Sequence, residues 1–242
     1  MGLLSEKAED LNLGFLSRVV KSVPMITVKL ATSMDGCIAT RFGDSKWITG
    51  PKARARAHLM RAEHDAIMIG AGTARQDNPH LTCRLPGMRD RSPVRVVLDN
   101  HLSLPLDTHL VATAAEVPTW MVTAIETKAS RASLFEAEGV TVLRVRRGED
   151  GMLRMGEIMS ELARRGVTRV LVEGGQKIVT SLMRAELVAR VSWFRAPSII
   201  GDDGVRAIGA LGFEELGMVP RWRRVSWEQL GEDTLECFVH GD

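Results

Sequence analysis

The sequence has no tyrosine, only three cysteines among its 242 residues, and almost no net charge. Cys37, Cys83 and Cys237 lie far apart and include no Cys-x-x-Cys pair, so neither a disulfide framework nor a cysteine-rich zinc site is expected. A reducing cytoplasmic location is the simplest expectation. The formal charge of +2 gives no argument for nucleic acid, and the lack of tyrosine weakens a base-stacking surface. We therefore expect no metal and no nucleic-acid partner.

Long apolar runs are also missing, including at the N-terminus. Residues 1–20 contain several charged side chains and no unbroken apolar core, which argues against a signal peptide or a membrane span. The spacing of the apolar residues predicts an amphipathic helix that packs on the domain or on a partner subunit, and a frayed tail is the alternative. We expect a helical extension over residues 1–22 and one domain over residues 23–242. The apolar positions of this helix are Leu4, Leu11, Phe15, Leu16, Val19 and Val20.

What the chain does contain is a regular alternation of strand-like and helix-like segments. Apolar residues make up 45% and charged residues 26%, which is typical of a globular protein. The alternation predicts an α/β fold with a mainly parallel central sheet and helices on both faces. Two strands around Gly231 predict a C-terminal antiparallel hairpin. The predicted strands are residues 23–31, 66–69, 93–98, 117–123, 140–145, 169–172, 188–195, 222–229 and 234–240, and the predicted helices are residues 51–63, 128–138, 152–164 and 176–184.

Two glycine turns follow buried strands and are candidates for holding a phosphate-bearing ligand. Residues 70–73 read Gly-Ala-Gly-Thr, and residues 173–177 read Glu-Gly-Gly-Gln-Lys. Glycines let the backbone approach a pyrophosphate, and a helix starting after each turn, at Thr73 in the first case, would aim free N–H groups at it. Ligands of open α/β sheets bind beyond the carboxyl ends of the strands, so both turns could flank one elongated cofactor. The spacing is not that of a Rossmann fingerprint, and a purely structural turn is the alternative.

Five further side chains are candidates, each with a structural alternative. Trp47 is either a core anchor or a platform for a flat ring. Asp77 lies in a turn or presents a carboxylate to a substrate. Arg61 and Arg84 are either solvated surface residues or forked donors to a phosphate. Glu173 is either a helix-capping carboxylate or a site residue.

The order of these motifs along the chain resembles one family. The resemblance rests on residues 29–36 (KLATSMDG), 43–49 (GDSKWIT), 59–62 (LMRA), 70–84 (GAGTARQDNPHLTCR), 96–99 (VVLD), 171–175 (LVEGG) and 196–201 (APSIIG). Together they are similar to the reductase domain of riboflavin biosynthesis, the C-terminal half of the bifunctional deaminase-reductase, whose fold is like that of dihydrofolate reductase. The similarity covers about residues 23–239. The zinc deaminase motif is absent, Ser198, Thr32 and Gly50 depart from the usual residues, and the first two dozen residues have no counterpart in the family.

The resemblance implies NADPH-dependent reduction of a phosphorylated ribosylaminopyrimidine to its ribitylamino product by a homodimer. It implies that Asp77 and Glu173 take part in catalysis, Asp77 by polarising the reacting centre or orienting the nicotinamide. The implied cofactor contacts are Ala31, Trp47, Gly70, Gly72, Thr73, Asp77, Asn100, Gly174, Gly175, Gln176, Lys177 and Ile178. The implied substrate contacts are Ser45, Arg61, Leu81, Arg84 and Glu173.

Three other functions stay open at the level of sequence. One is an NADPH-dependent reductase of another pterin or pyrimidine, such as dihydrofolate, and another is a nucleotide-binding protein without turnover. The third is nucleic-acid binding through the arginines at 144–147 and 221–224, which the near-neutral net charge disfavours, since such arginines are typical of solvated strand edges. NADPH rather than NADH is implied by the resemblance alone. We expect a contact to its 2′-phosphate in the region after Asp99, with Asn100 and His101, although no arginine follows immediately.

Overall fold

The computed structural model describes residues 5–241, in which a helix precedes an alternation of strands and helices. The helices are α1 (Ser5–Leu16), α2 (Pro51–Ala62), α3 (Ala71–Asp77), α4 (His109–Ala112), α5 (Ala129–Ala137), α6 (Met155–Arg164) and α7 (Gln176–Arg184), and a π-helical turn, Ser17–Lys21, continues α1. The strands are β1 (Met25–Thr32), β2 (Cys37–Ala39), β3 (Ala66–Gly70), β4 (Val94–Leu98), β5 (Thr119–Ala124), β6 (Thr141–Val145), β7 (Arg169–Val172), β8 (Arg190–Arg195), β9 (Val205–Arg206), β10 (Trp222–Leu230) and β11 (Asp233–His240).

Nine of these strands form one sheet in the order β10-β11-β8-β1-β7-β3-β4-β5-β6. The pairs from β8 through β6 are parallel, whereas β11 runs antiparallel to β8 and β10 antiparallel to β11. The predicted mainly parallel sheet with a C-terminal antiparallel hairpin is therefore confirmed. The short strands β2 and β9 pair separately and were not predicted, because two or three residues carry too little periodicity to detect.

Helices cover both faces of the sheet, as predicted. Side chains of successive strand residues point to opposite faces, so Val170 and Val172 pack into one apolar cluster while Leu171 packs into the other. The first cluster contains residues of α6 and α7, and the second contains residues of α2, α3, α4 and α5. Both faces of the sheet are thus buried. This explains why the central strands are continuous apolar runs and do not alternate between apolar and polar residues.

The C-terminal hairpin leaves one border of the sheet open. Residues 223–229 of β10 are exposed, and an irregular register interrupts its pairing with β11 between Arg224 and Ser226. Large apolar side chains are exposed here and in the segment before it, among them Leu216 at 93% and Trp227 at 56%. An exposed strand edge flanked by apolar side chains is a ready template for pairing with another chain.

The N-terminal helix α1 packs on the start of β7. A Cβ atom on Gly14 would lie only 2.6 Å from Arg169 Cγ, so the absence of a side chain at this position sets the close approach. The Arg18 Nε group donates to the carbonyl of Ala163 at 2.8 Å and ties the following turn to α6. The opposite side of the helix, including Phe15 and Val19, is exposed. Leu4 of the predicted apolar stripe lies outside the described residues, and no helix within residues 5–241 is long and apolar enough to cross a bilayer.

Two charged side chains organise the connection between β4 and β5. Arg95 is fully buried, with Nη1 donating to Thr113 Oγ1 at 2.8 Å and Nη2 to the carbonyls of Thr113 at 3.0 Å and Val117 at 2.8 Å. Burial lowers the pKa of Arg95 to about 10, although Glu116 opposes this effect. Asp99 accepts the backbone N–H groups of residues 101, 103 and 104 at 3.2, 2.6 and 3.0 Å. This connection is therefore held by ionic hydrogen bonds more than by regular structure, since α4 is short.

Candidate active site

The predicted site residues gather at one edge of the sheet. Strands β1, β7, β3 and β4 are consecutive neighbours and parallel, so their carboxyl ends lie side by side. Ala31 lies at the end of β1, Glu173 to Gly175 follow β7, Gly70 to Thr73 join β3 to α3, and Asn100 follows β4. Segments far apart in the sequence thus form one continuous surface, as expected for an open α/β sheet.

A largely buried charge cluster lies at the centre of this surface. Glu173 has 10% of its side chain exposed, and Arg61 from α2 binds both of its oxygens, with Nε donating to Oε1 at 2.7 Å and Nη2 to Oε2 at 3.0 Å. Lys29 from β1 lies 3.7 Å from the same Oε2. Burial alone would raise the pKa of Glu173, but Arg61 and Lys29 outweigh it and hold the pKa at about 2. Glu173 is therefore an anion near neutral pH and does not cap α7.

Arg61 is charged and firmly held rather than solvated. Burial works against its charge, but Glu173 raises the pKa of the Arg61 guanidinium above its ordinary value. Its Nη1 also donates to the carbonyl of Thr82 at 3.0 Å. The preceding residue, Leu81, is buried and has a φ of +56°, a conformation that is uncommon for a residue with a side chain and is typical of functional loops.

His58 connects the charge cluster to Arg84. Arg84 Nε donates to His58 Nε2 at 3.3 Å, and His58 Nδ1 lies 3.3 Å from the Arg84 backbone N–H and 3.2 Å from the Thr82 carbonyl. Partial burial, followed by the charges of Arg61 and Arg84, lowers the pKa of His58, while Glu173 opposes them. A neutral His58 and an exposed Arg84 therefore form the outer rim of the cluster.

The two glycine turns form a close-fitting cradle between β7 and β3. A Cβ atom on Gly70 would lie 2.9 Å from Ile178 Cδ1, and one on Gly174 would lie 3.3 Å from Ile178 Cβ. One on Gly175 would lie 3.4 Å from Thr73 Oγ1. Glycine is the N-cap of both α3 and α7, and no side chain in residues 5–241 caps either helix, so first-turn N–H groups are available to an anion. The helix after the first turn begins at Ala71, two residues before the predicted Thr73.

The loop at residues 43–50 carries Ser45 and Trp47 above this edge. Trp47 is 70% exposed, so it is not a core anchor, and the Arg54 guanidinium lies 4.4 Å from its ring centre. Gln76 Nε2 donates to the carbonyl of Gly43 at 3.0 Å, and Gly50 N donates to Asp233 Oδ2 at 2.7 Å. Both ends of the loop are therefore anchored, and Arg54 covers one face of the exposed Trp47 ring.

Asp77 ends α3 and faces the same loop. Desolvation raises the pKa of its carboxyl group, and the nearby Lys46 opposes that effect. No hydrogen-bond donor to this carboxylate is found among residues 5–241. Within residues 5–241, Asp77 therefore forms no ion pair, whereas Glu173 is paired with Arg61 and Lys29.

Sequence reasoning missed two members of the site, Lys29 and His58. Lys29 is the one charged residue in the otherwise apolar or hydroxylated run of β1, and this interruption was a usable signal. His58 lies three residues before Arg61 on α2, so both side chains share a helix face, but nothing in the sequence marks that face as functional.

Comparison with known proteins places the chain in a family. Residues 24–235 match the model of the RibD C-terminal domain. The chain belongs to the RibD C-terminal domain family. The riboflavin biosynthesis protein RibD of Bacillus amyloliquefaciens is 38% identical over 233 residues, which are 96% of this chain and 62% of that protein.

Solved structures of RibD proteins have the same fold. The Acinetobacter baumannii RibD structure has a TM-score of 0.84 and 25% identity, covering all of this chain and 65% of its own. A Thermotoga maritima structure, described as a diaminohydroxyphosphoribosylaminopyrimidine deaminase/5-amino-6-(5-phosphoribosylamino)uracil reductase, has a TM-score of 0.79 and 28% identity over 99% of this chain and 63% of its own.

The chain spans less than two thirds of the length of these relatives. The family model starts at residue 24, but the relatives are matched over 96–100% of the chain. The segment before residue 24 thus has no counterpart in the C-terminal domain model, as expected, although most of it is matched in the longer RibD proteins.

Proposed function

We propose that residues 23–242 form an NADPH-dependent reductase that converts the ribosyl group of 5-amino-6-(5-phosphoribosylamino)uracil to the ribitylamino product of riboflavin biosynthesis. The observation that carries this proposal is the largely buried Lys29–Glu173–Arg61 cluster beside two glycine turns. It supplies fixed charges next to a cradle suited to a dinucleotide, in a chain of the RibD C-terminal domain family.

The residues at the carboxyl edge fit a dinucleotide cofactor. The uncapped first turn of α7 and the turn at Gly70–Thr73 would hold the pyrophosphate, with Gly174, Gly175, Gln176, Lys177 and Ile178 around it. Ala31, Trp47 and Asp77 would lie on the nicotinamide side, and Asn100 on the adenosine side. When bound, the reduced nicotinamide supplies a hydride to the sugar C1.

Side chains of the site would supply the proton that this reduction requires. Hydride addition at C1 must be matched by a proton on the neighbouring nitrogen of the opened, imine-like substrate. Lys29, with a donor group beside Glu173, and Asp77, with a raised pKa, are the groups that can hold such a proton. Glu173 cannot do so, because its pKa of about 2 keeps it ionised; it positions Lys29 and Arg61 instead.

Residues at the rim of the charge cluster would bind the phosphorylated sugar. Arg84 is exposed and Ser45 lies in the anchored loop, so both are accessible to a substrate phosphate. Arg61 already donates hydrogen bonds from Nε and Nη2 to Glu173 and from Nη1 to the Thr82 carbonyl. Its positive charge would therefore attract the phosphate without forming a two-pronged hydrogen-bonded contact. Leu81 would support the substrate ring from its buried position.

Anaerobic turnover tests this assignment. The purified chain is mixed with 5-amino-6-(5-phosphoribosylamino)uracil and NADPH, and both the loss of reduced cofactor and the ribitylamino product are followed. Dihydrofolate with NADPH is the comparison substrate. Product formation with the phosphorylated pyrimidine alone is the expected result. Turnover of dihydrofolate only, or of neither compound while NADPH still binds, would contradict the proposed substrate.

A homodimer joined along β10 completes the proposal. The exposed strand edge, with Val225 and Trp227 at 46% and 56% exposure, offers both unpaired backbone groups and apolar area to a second copy.

All three cysteines are free thiols, and this supports a cytoplasmic enzyme.

A further inference from the structure

The C-terminal hairpin reaches the active-site loop through a buried carboxylate. Asp233, the first residue of β11, is only 3% exposed, and its Oδ2 accepts the backbone N–H of Gly50 at 2.7 Å. Gly50 is the N-cap of α2 and the last residue of the loop at 43–50, which carries Ser45 and Trp47. The two partners are 183 residues apart in the sequence, so this hydrogen bond joins separate parts of the fold.

Asp233 supplies the acidic group that the start of α2 lacks. Gly50 has no side chain that could cap the helix, and Pro51 at the next position has no N–H. A carboxylate beside a helix N-terminus is stabilised by the helix dipole. A Cβ atom on Gly50 would lie 3.3 Å from the same Asp233 Oδ2, so glycine permits the close approach. Asp233 therefore fixes the point where the loop ends and α2 begins.

The first turn of α2 in turn holds the Trp47 ring. Arg54 donates from Nη1 to the Thr49 carbonyl at 2.8 Å, and its backbone N–H donates to the Gly50 carbonyl at 3.1 Å. Its guanidinium lies 4.4 Å from the centre of the Trp47 ring. The orientation of this ring therefore depends on the position of the helix start, which Asp233 holds.

Apolar packing makes the hairpin a firm support for this contact. Leu230 and Leu235, on either side of the β10–β11 turn, are buried in the same apolar cluster as Ala53 and Ala57 of α2. Residues 44–47 of the loop, in contrast, are exposed or half-exposed. The loop therefore depends on its anchors for a fixed conformation, whereas the hairpin does not.

We propose that Asp233 is a positioning residue of the reductase, which holds the 43–50 loop and, through Arg54, the Trp47 ring in the conformation that meets substrate and cofactor. This inference rests on the proposed function and extends it to the C-terminal hairpin. The Lys29–Glu173–Arg61 cluster is held by its own ion pairs. Loss of the Asp233 contact should therefore reduce ligand affinity more than the rate of the chemical step.

Two substitutions of Asp233 separate positioning from folding. Alanine removes the acceptor for the Gly50 N–H, whereas asparagine keeps an oxygen in its place. We expect Asp233→Ala to weaken NADPH about 10-fold in calorimetric titration and to raise KM for 5-amino-6-(5-phosphoribosylamino)uracil by about the same factor, because the ligand must then order the loop. The kcat should stay within about 2-fold of wild type. Asp233→Asn should recover most of the affinity, and Glu232→Ala, at the exposed neighbouring residue, is the matched control.

A double-mutant cycle tests whether the effect passes through Trp47. In a Trp47→Ala protein, the further change Asp233→Ala should weaken NADPH less than about 2-fold, because the ring that it positions is gone. Full additivity of the two changes would overturn the proposal. So would wild-type affinity for NADPH and wild-type KM in Asp233→Ala, or a fall in kcat with both affinities retained.

Arg54→Ala provides a second test that does not depend on the folding of Asp233→Ala. The Arg54 side chain is half-exposed and is the proposed link between the helix start and the ring, so its loss should also weaken NADPH while kcat is retained. Wild-type binding of NADPH by Arg54→Ala would refute the inference and leave the reductase assignment intact. Failure of the wild-type protein to bind NADPH would instead remove the proposed function itself.

Discussion

Replacing Glu173 by glutamine tests the charge cluster most directly. The substitution keeps the shape of the side chain but removes the anion that Arg61 and Lys29 both contact. A pKa lowered from 4.5 to about 2 corresponds to about 3 kcal/mol of stabilisation of the charged form, at about 1.4 kcal/mol per pKa unit. Because the group is nearly buried, little of this is lost to solvent screening. We expect Glu173→Gln to lower the unfolding free energy at pH 7 by about 3 kcal/mol.

The pH dependence of this loss separates an ion pair from simple packing. Since the folded-state pKa lies below the unfolded value, the stabilisation is fully present above pH 4.5 and is lost as the pH falls to about 2. The difference in unfolding free energy between wild type and Glu173→Gln should therefore be constant from pH 7 to about pH 5 and shrink below that. Urea unfolding at a series of pH values, followed by circular dichroism, measures it.

The control is Glu232→Gln, an exposed glutamate in the β10–β11 turn, which should leave stability within about 0.5 kcal/mol of wild type. A double-mutant cycle with Arg61→Gln should show strong coupling, because the two side chains share two hydrogen bonds. A Glu173→Gln loss that stays the same from pH 7 down to pH 3, or additive single mutants, would show that the pair is not the source of the stabilisation.

Three further changes test other parts of the structure. Asp77→Asn should reduce turnover about 100-fold while NADPH affinity, measured by calorimetry, is retained; unchanged turnover would remove Asp77 from the reaction. Arg95→Met should destabilise the fold by about 3 kcal/mol in urea unfolding, because several buried carbonyls lose their donor, and a loss below about 1 kcal/mol would contradict that account. If the chain forms the proposed dimer, Trp227→Glu should convert it to a monomer by light scattering at micromolar concentration, and a wild-type monomer would refute the interface itself.

Most of the sheet could be predicted from periodicity because its strands are buried on both faces. The runs ending at Thr32, Gly70, Leu98 and Val172 are rich in β-branched residues and separated by helical segments, so their existence and type were predictable. The order in which they pair was not predictable, since strand order depends on contacts between distant segments. Strands β2 and β9 and the four-residue helix α4 were too short to give a signal.

The sequence named Glu173 and Arg61 as candidates but neither Lys29 beside them nor the contacts among the three. Glu173 lies more than a hundred residues from both Arg61 and Lys29 in the sequence. Their contact therefore depends on the order of the strands in the sheet. Sequence reasoning therefore assigned Arg61 to a substrate phosphate without foreseeing that Glu173 holds its guanidinium. The roles of Ser45, Trp47 and the other cofactor and substrate contacts stay predictions.

The polar framework of the β4–β5 connection has a consequence for any ligand entering there. The backbone N–H of His101 is held by the carboxylate of Asp99, and the carbonyl of Thr113 at the far end of the same segment is held by the Arg95 guanidinium. A nucleotide arriving at this wall would meet surfaces already in place, so it would lose little affinity to ordering the protein. Discrimination at this end of the cleft would then arise from charge and shape, with no lid movement required.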